Sequence, residues 1–199
     1  MKNITVIFLL ITFIIVNSVS AVQYDIVDLG TLGGTNSEAR GVNEFGQVVG
    51  FSTMPGDISS HAFLYSDGVM TDLRTLSGKN SYALSINNSG YIVGASDTSG
   101  GKSHAFLYEN GVMTDLNIYP SINTGAVDIN NQGQILGSYG NGGSAFIYNN
   151  GITTGISSLG NGDIVIPYSI NDSGQAVGTS QINYGNSASH AFIYNNGAL

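Results

Sequence analysis

Ile86-Asn87-Asn88-Ser89-Gly90-Tyr91-Ile92-Val93-Gly94 decides how the chain is read, because the same pattern occurs four times. Its counterparts run from Val42 to Gly50, from Ile129 to Gly137 and from Ile170 to Gly178. The shared asparagine therefore falls at 43, 87, 130 and 171, in steps of 44, 43 and 41 residues. A second block follows each copy: His61-Ala62-Phe63-Leu64-Tyr65, His104-Ala105-Phe106-Leu107-Tyr108, Ser144-Ala145-Phe146-Ile147-Tyr148 and His190-Ala191-Phe192-Ile193-Tyr194. A third, Val69-Met70-Thr71-Asp72-Leu73, is matched by Val112-Met113-Thr114-Asp115-Leu116. Three blocks in fixed order at this period mark a repeat architecture.

Each unit reads as four short strands, in the second unit Ser81 to Asn87, Tyr91 to Ala95, His104 to Tyr108 and Val112 to Leu116. Asp67-Gly68, Asn110-Gly111, Asn150-Gly151 and Asn196-Gly197 follow the third strand. Such dipeptides accept the positive φ of tight hairpins, so strands three and four should pair antiparallel. The Asn-x-x-Gly connection between strands one and two is a second hairpin signal. Alternation in the third strand sends Phe63 and Tyr65 to one face and Ala62 and Leu64 to the other, so both faces are apolar. A sheet with one wet face would alternate apolar with polar. Small sheets covered on both sides are what propeller blades require.

The expected fold is all-β, a β-propeller-like array of four four-stranded antiparallel blades. The units span about 37–76, 81–118, 125–159 and 167–199, with 24–34 as a detached fourth strand. Tyr24-Asp25-Ile26-Val27-Asp28-Leu29-Gly30-Thr31-Leu32 matches a fourth strand with no first three before it, and the last unit stops at Leu199 inside its own fourth strand. The N-terminal strand is thus expected to complete the last blade, giving one, four, four, four and three strands. A fragment of a longer array and a β-solenoid are the competing architectures; the solenoid leaves the hairpin turns unexplained.

Ile4 to Val16 is an apolar run after Lys2, closed by small residues at Val19-Ser20-Ala21, and reads as a secretory signal cleaved after Ala21. An uncleaved N-terminal anchor is the alternative. Residues 22–199 then form a single exported domain, extracellular or alternatively periplasmic or held at the cell surface, with no membrane span after cleavage. Loss of Lys2 moves the formal charge from −8 to −9, which repels a phosphate backbone and weighs against nucleic acid. The chain has no cysteine, so packing and backbone pairing must hold it together.

The His-Ala-Phe-Leu-Tyr block, the run Asp28-Leu29-Gly30-Thr31-Leu32-Gly33-Gly34 and the Ile-Asn-x-x-Gly-Gln-x-Val-Gly block together resemble the HAF-repeat family of bacterial extracellular proteins. The likeness covers essentially all of residues 22–199. It implies an exported, repetitive, propeller-like protein with no established activity. Unit three departs from the pattern, with Ser144 for His and Gly155-Ile156 for Asp-Leu. The C-terminal sorting tail of some members is missing, which points to a released or truncated protein.

No catalytic, cofactor-binding or metal-binding residue is assigned from the sequence. His61, His104 and His190 recur once per unit, so ring geometry should separate them, and each is expected to bond a neighbouring loop. Asp28, Asp72 and Asp115 recur likewise and are expected to accept amide hydrogens from the following turn. Glu38, Glu44, Asp57, Asp97 and Asp163 form no motif. The Asn-x-x-Gly turns carry one acid at most, Glu44 in the first and Asp172 in the fourth, too few for a calcium loop. The connections Ser52 to Ser60, Ser96 to Ser103, Ser138 to Gly143 and Thr179 to Ser189 vary freely. Variable loops on a rigid frame suit recognition. A non-catalytic binding or scaffold module for an unknown protein or glycan is the expected function; a glycan-active hydrolase or lyase is the alternative.

Overall fold

A computed structural model describes residues 24–140, 143–160, 164–183 and 188–195. The apolar N-terminal run, Asp163 and the Asn196-Gly197 turn lie outside these residues. Four sheets follow one another along the chain, each an antiparallel meander. The first contains β1 (Ser37–Val42), β2 (Val48–Thr53), β3 (Ser60–Ser66) and β4 (Val69–Asp72). The second contains β5 (Ser77–Ile86), β6 (Ile92–Thr98), β7 (Ser103–Glu109) and β8 (Val112–Asp115). The third contains β9 (Thr124–Ile129), β10 (Ile135–Tyr139), β11 (Ser144–Asn149) and β12 (Ile152–Ile156). The fourth has three strands, β13 (Val165–Ile170), β14 (Gln175–Gln181) and β15 (Ser189–Asn195). The chain is an all-β array of blades.

Local chemistry accounts for both hairpins. Asp67, Asn110 and Asn150 have φ of 53°, 51° and 49°, each followed by a glycine with φ of 80° to 85°. Two successive positive φ values define the turn whose twist matches the flanking strands. At the other hairpin the asparagine side chain acts as a brace. Asn43 Oδ1 accepts the amides of Phe45 and Gln47, and Asn87, Asn130 and Asn171 repeat this in their own turns.

The sheets stack face to face, and three hydrophobic cores occupy the three junctions. Val49, Ala62 and Leu73 of the first sheet meet Ala83, Ile86, Ile92 and Phe106 of the second. Val93 and Ala105 meet Ala126, Ile129, Ile135 and Phe146 at the next junction. Leu136, Ala145, Ile147 and Ile156 meet Val165, Ile170, Ala176 and Phe192 at the last. Each sheet thus has a leading face toward the sheet before it and a trailing face toward the sheet after it.

The N-terminal segment is placed differently from the sequence expectation. Residues 24–36 form no strand and do not pair with β15. The segment is seated on the first sheet instead, where the Leu32 amide donates to Ser52 Oγ and Ser37 Oγ donates to the Gly30 carbonyl. Tyr24, Ile26 and Val27 remain exposed. The physical reason is that this segment follows the same path as the linkers between sheets: Leu76 donates to Ser96 Oγ and Leu159 to Ser180 Oγ in the same way. Its docking site is the sheet that follows it.

Candidate functional site

The first strands converge on one region, with β1 beside β5, β5 beside β9 and β9 beside β13. Residues of all four sheets line a polar depression there of about 320 Å³, including Asn43, Glu44, Asn87, Asn88, Asp128 and Asp172. Its walls are knitted by a ladder of asparagines. Asn43 Nδ2 donates to the Asn87 carbonyl, Asn87 Nδ2 to that of Asn130, and Asn130 Nδ2 to that of Asn171, at 3.2, 3.0 and 2.8 Å. A parallel row joins the next residues, from the Glu44 amide to Asn88 Oδ1, Asn88 to Asn131, and Asn131 to Asp172. The backbone amide of Asn131, and then its side-chain amide, hold the exposed Asp172 carboxyl below the usual 3.8.

Asp128 is the residue that sequence reasoning missed. It replaces Gly41, Ser85 and Ser169 at one repeat position, immediately before the Ile-Asn pair. Its Oδ1 accepts from Ser85 Oγ at 2.7 Å and the Ile129 amide at 2.9 Å. Its Oδ2 accepts from Ser169 Oγ at 2.8 Å and the Ile170 amide at 2.9 Å. One carboxylate thereby ties together the first strands of the second, third and fourth sheets.

The histidines meet aspartates. His61 Nδ1 lies 3.0 and 3.1 Å from the two carboxylate oxygens of Asp72, and His104 Nδ1 lies 2.7 Å from Asp115 Oδ2. The expected loop partner is therefore corrected: strands three and four are neighbours, which brings the side chains together across the sheet. The aspartates also do what the turn chemistry requires, since Asp28, Asp72 and Asp115 accept the amides of Gly30, Arg74 and Asn117. His190 is exposed on the outer edge of β15, with no aspartate beside it among the described residues. His104 is buried, and its Nε2 has no hydrogen-bond partner among the described residues.

The remaining acids are dispersed. Glu38 pairs with Arg40 at 2.9 Å on the surface. Asp57 accepts from the amide and hydroxyl of Thr35, which ties the 54–59 connection to the N-terminal segment. Asp97 accepts from the amide and side chain of Asn80, and Asn80 Oδ1 receives the Ser60 amide of the preceding sheet. Asn123 receives the Ser103 amide similarly. The second-to-third strand connections consequently stand on a braced rim, with Ile58 strongly exposed at the tip of the first. Nearby, Tyr119 packs against Tyr139 with ring centroids 4.5 Å apart and tilted by 43°, and burial, then Tyr139, push the Tyr119 hydroxyl pKa up.

No protein-family model and no curated protein matches the chain.

Proposed function

We propose that the chain is an exported member of the HAF-repeat family and serves as a non-catalytic extracellular binding or scaffold module. The observation that carries this reading is a division of labour among polar groups. The recurrent ones are engaged in holding the frame: the asparagine ladder, two His–Asp pairs, and serines or a threonine that bridge sheets, as when the Ala62 and Ala105 amides donate to Ser81 Oγ and Thr124 Oγ1. Sequence that differs between units is found on connections such as 54–59 and 99–102, most of whose residues are exposed. Recognition on loops supported by rigid sheets is the ordinary way such a frame is used. A glycan or a protein surface suits a rim of Gly and Ser residues.

The glycan hydrolase reading needs two carboxylates free to act on either side of a glycosidic bond. Asp128 and Asp172 are committed to hydrogen bonds that join sheets, which supports binding over turnover. The test is a loop exchange in which residues 54–59 are replaced by residues 99–102. The variant should keep its melting temperature within a few degrees while its pattern on an array of extracellular polysaccharides changes. Polysaccharide turnover abolished by Asp128→Asn would replace this reading with the hydrolase.

A further inference from the structure

At the junction between the second and third sheets a groove of about 330 Å³ opens to solvent beside the hairpin turns. Its walls belong to the two sheets that have neighbours on both sides. Tyr91, Leu107 and Tyr148 supply the apolar part; they pack against the core of this junction while only partly buried. Glu109, Gln132 and Asn150 supply the polar part. Gly133, held at φ of 78° by its turn, contributes backbone alone. The next junction repeats the arrangement. A groove of about 330 Å³ is lined there by Ile147, Asn149, Gly174 and Tyr194, the repeat counterparts of Leu107, Glu109, Gly133 and Tyr148.

The chemistry of the lining selects a ligand. Unlike the asparagines of the ladder, the side chains of Glu109, Gln132 and Asn150 have no hydrogen bond or ion pair among the described residues. They are therefore available to a ligand at no cost to the frame. No Lys or Arg lines either groove among the described residues, and the chain carries a formal charge of −8, so phosphate and other anions are disfavoured. β7, β10 and β11 are each paired on both edges, which leaves an extended peptide no open strand edge to join. A neutral ligand with apolar C–H faces and several hydroxyls fits what is present. A tyrosine ring and an aliphatic side chain meet the faces, while carboxylate and amide groups meet the hydroxyls. The volume lies at the low end of the ~300–1,000 Å³ of small-ligand sites. Equivalent grooves one repeat apart suit a ligand that itself repeats.

We propose that the junction grooves bind a neutral polysaccharide, each taking a short stretch of the polymer. In the groove between the second and third sheets, Tyr148 and Leu107 take the C–H face of a sugar residue. Glu109 accepts hydrogen bonds from its hydroxyls, and Gln132 both donates and accepts. This site is additional to the connections 54–59 and 99–102. Ile135 lies opposite Tyr148 and Glu109 opposite Val112 at the hairpin end of their sheets, whereas those connections join the strands at the other end.

Amide chemical shifts of the isotope-labelled protein test the site directly. The probes are cellohexaose, mannohexaose and chitohexaose, each titrated to millimolar concentration. At least one should move the amides of Glu109, Gln132, Gly133 and Tyr148 saturably. Glu109→Ala and Gln132→Ala remove side chains that hold no partner, so both variants should melt within a few degrees of the parent. Glu109→Ala should nevertheless weaken binding about tenfold, as loss of a hydrogen bond to a charged group does. Exchange of residues 54–59 should leave these shifts as they are. Shifts confined to residues 54–59 and 99–102 overturn the groove and leave recognition by the connections standing. Groove shifts with a pool of capped neutral octapeptides, and with none of the sugars, replace the saccharide by a peptide. No saturable shift with any of the three sugars overturns the proposal outright.

Discussion

Unit three lacks histidine at the head of its third strand and aspartate at the end of its fourth, and those two losses belong together. Ser144 and Gly155 stand where the first two units have a bonded pair, so the joint departure is the sequence trace of a contact. The trace is readable, but histidine and aspartate each have a local use of their own, a neighbouring loop for the one and the following turn for the other, and that local use hides the pair. The asparagines were legible only in half. Turn chemistry explains the side-chain oxygen, which caps amides two and four residues on. The side-chain nitrogen reaches a carbonyl 43 residues away, which local pattern does not encode. This separation gives a graded prediction. Asn87 is 4% exposed and holds three partners, so Asn87→Ala should cost about 1–3 kcal/mol, because buried amide and carbonyl groups lose their bonds. Asn171 sits at the exposed end of the ladder and reaches no further sheet among the described residues, so Asn171→Ala should cost clearly less. Urea midpoints at equal slope compare the two; equal losses would mean that the ladder adds nothing beyond the turn.

The strand-to-strand elements hold a feature that composition hides. In every sheet the first strand bulges, with Arg40, Leu84, Val127 and Tyr168 as the extra residues, and a glycine of the second strand lies opposite. A Cβ on Gly50, Gly94 or Gly178 would overlap the carbonyl oxygen of Glu38, Tyr82 or Ile166 across the strands. The terminal glycine of the nine-residue block is therefore required by close backbone approach, as interior strand glycines often are. Strand positions, hairpins and two apolar faces could be read from alternation and turn residues; the bulge could not, because an extra residue leaves no mark on a four- to six-residue pattern. Gly94→Ala should destabilise by about 1–3 kcal/mol or more through overpacking. Gly155→Ala is the control. Nothing lies within 4 Å of its added Cβ, so that change should be neutral or slightly stabilising through the lost freedom of the unfolded chain. Thermal melts of the two variants separate steric demand from a general dislike of alanine in these strands.

At the scale of the whole molecule the repeat specifies junctions, and junction count sets how stability is distributed. The sequence carries a fourth-strand pattern at residues 24–32, but the pattern does not place it; placement depends on which sheet the segment docks against, here the first, which no local signal encodes. In a stack where each sheet touches only its neighbours, stability is a sum of unit and interface contributions. The second and third sheets have both faces covered, with Val93 and Leu136 at 0% exposure, while the first and fourth have one each. Opening should therefore begin at the ends. Amide exchange should be slowest in β6 and β10, faster in β14, and fastest in β1 and β15, the gradient following covered faces and not hydrogen-bond number, since β14 is paired on both edges. Uniform protection across the fifteen strands of the described residues would show instead that the sheets unfold as one cooperative unit.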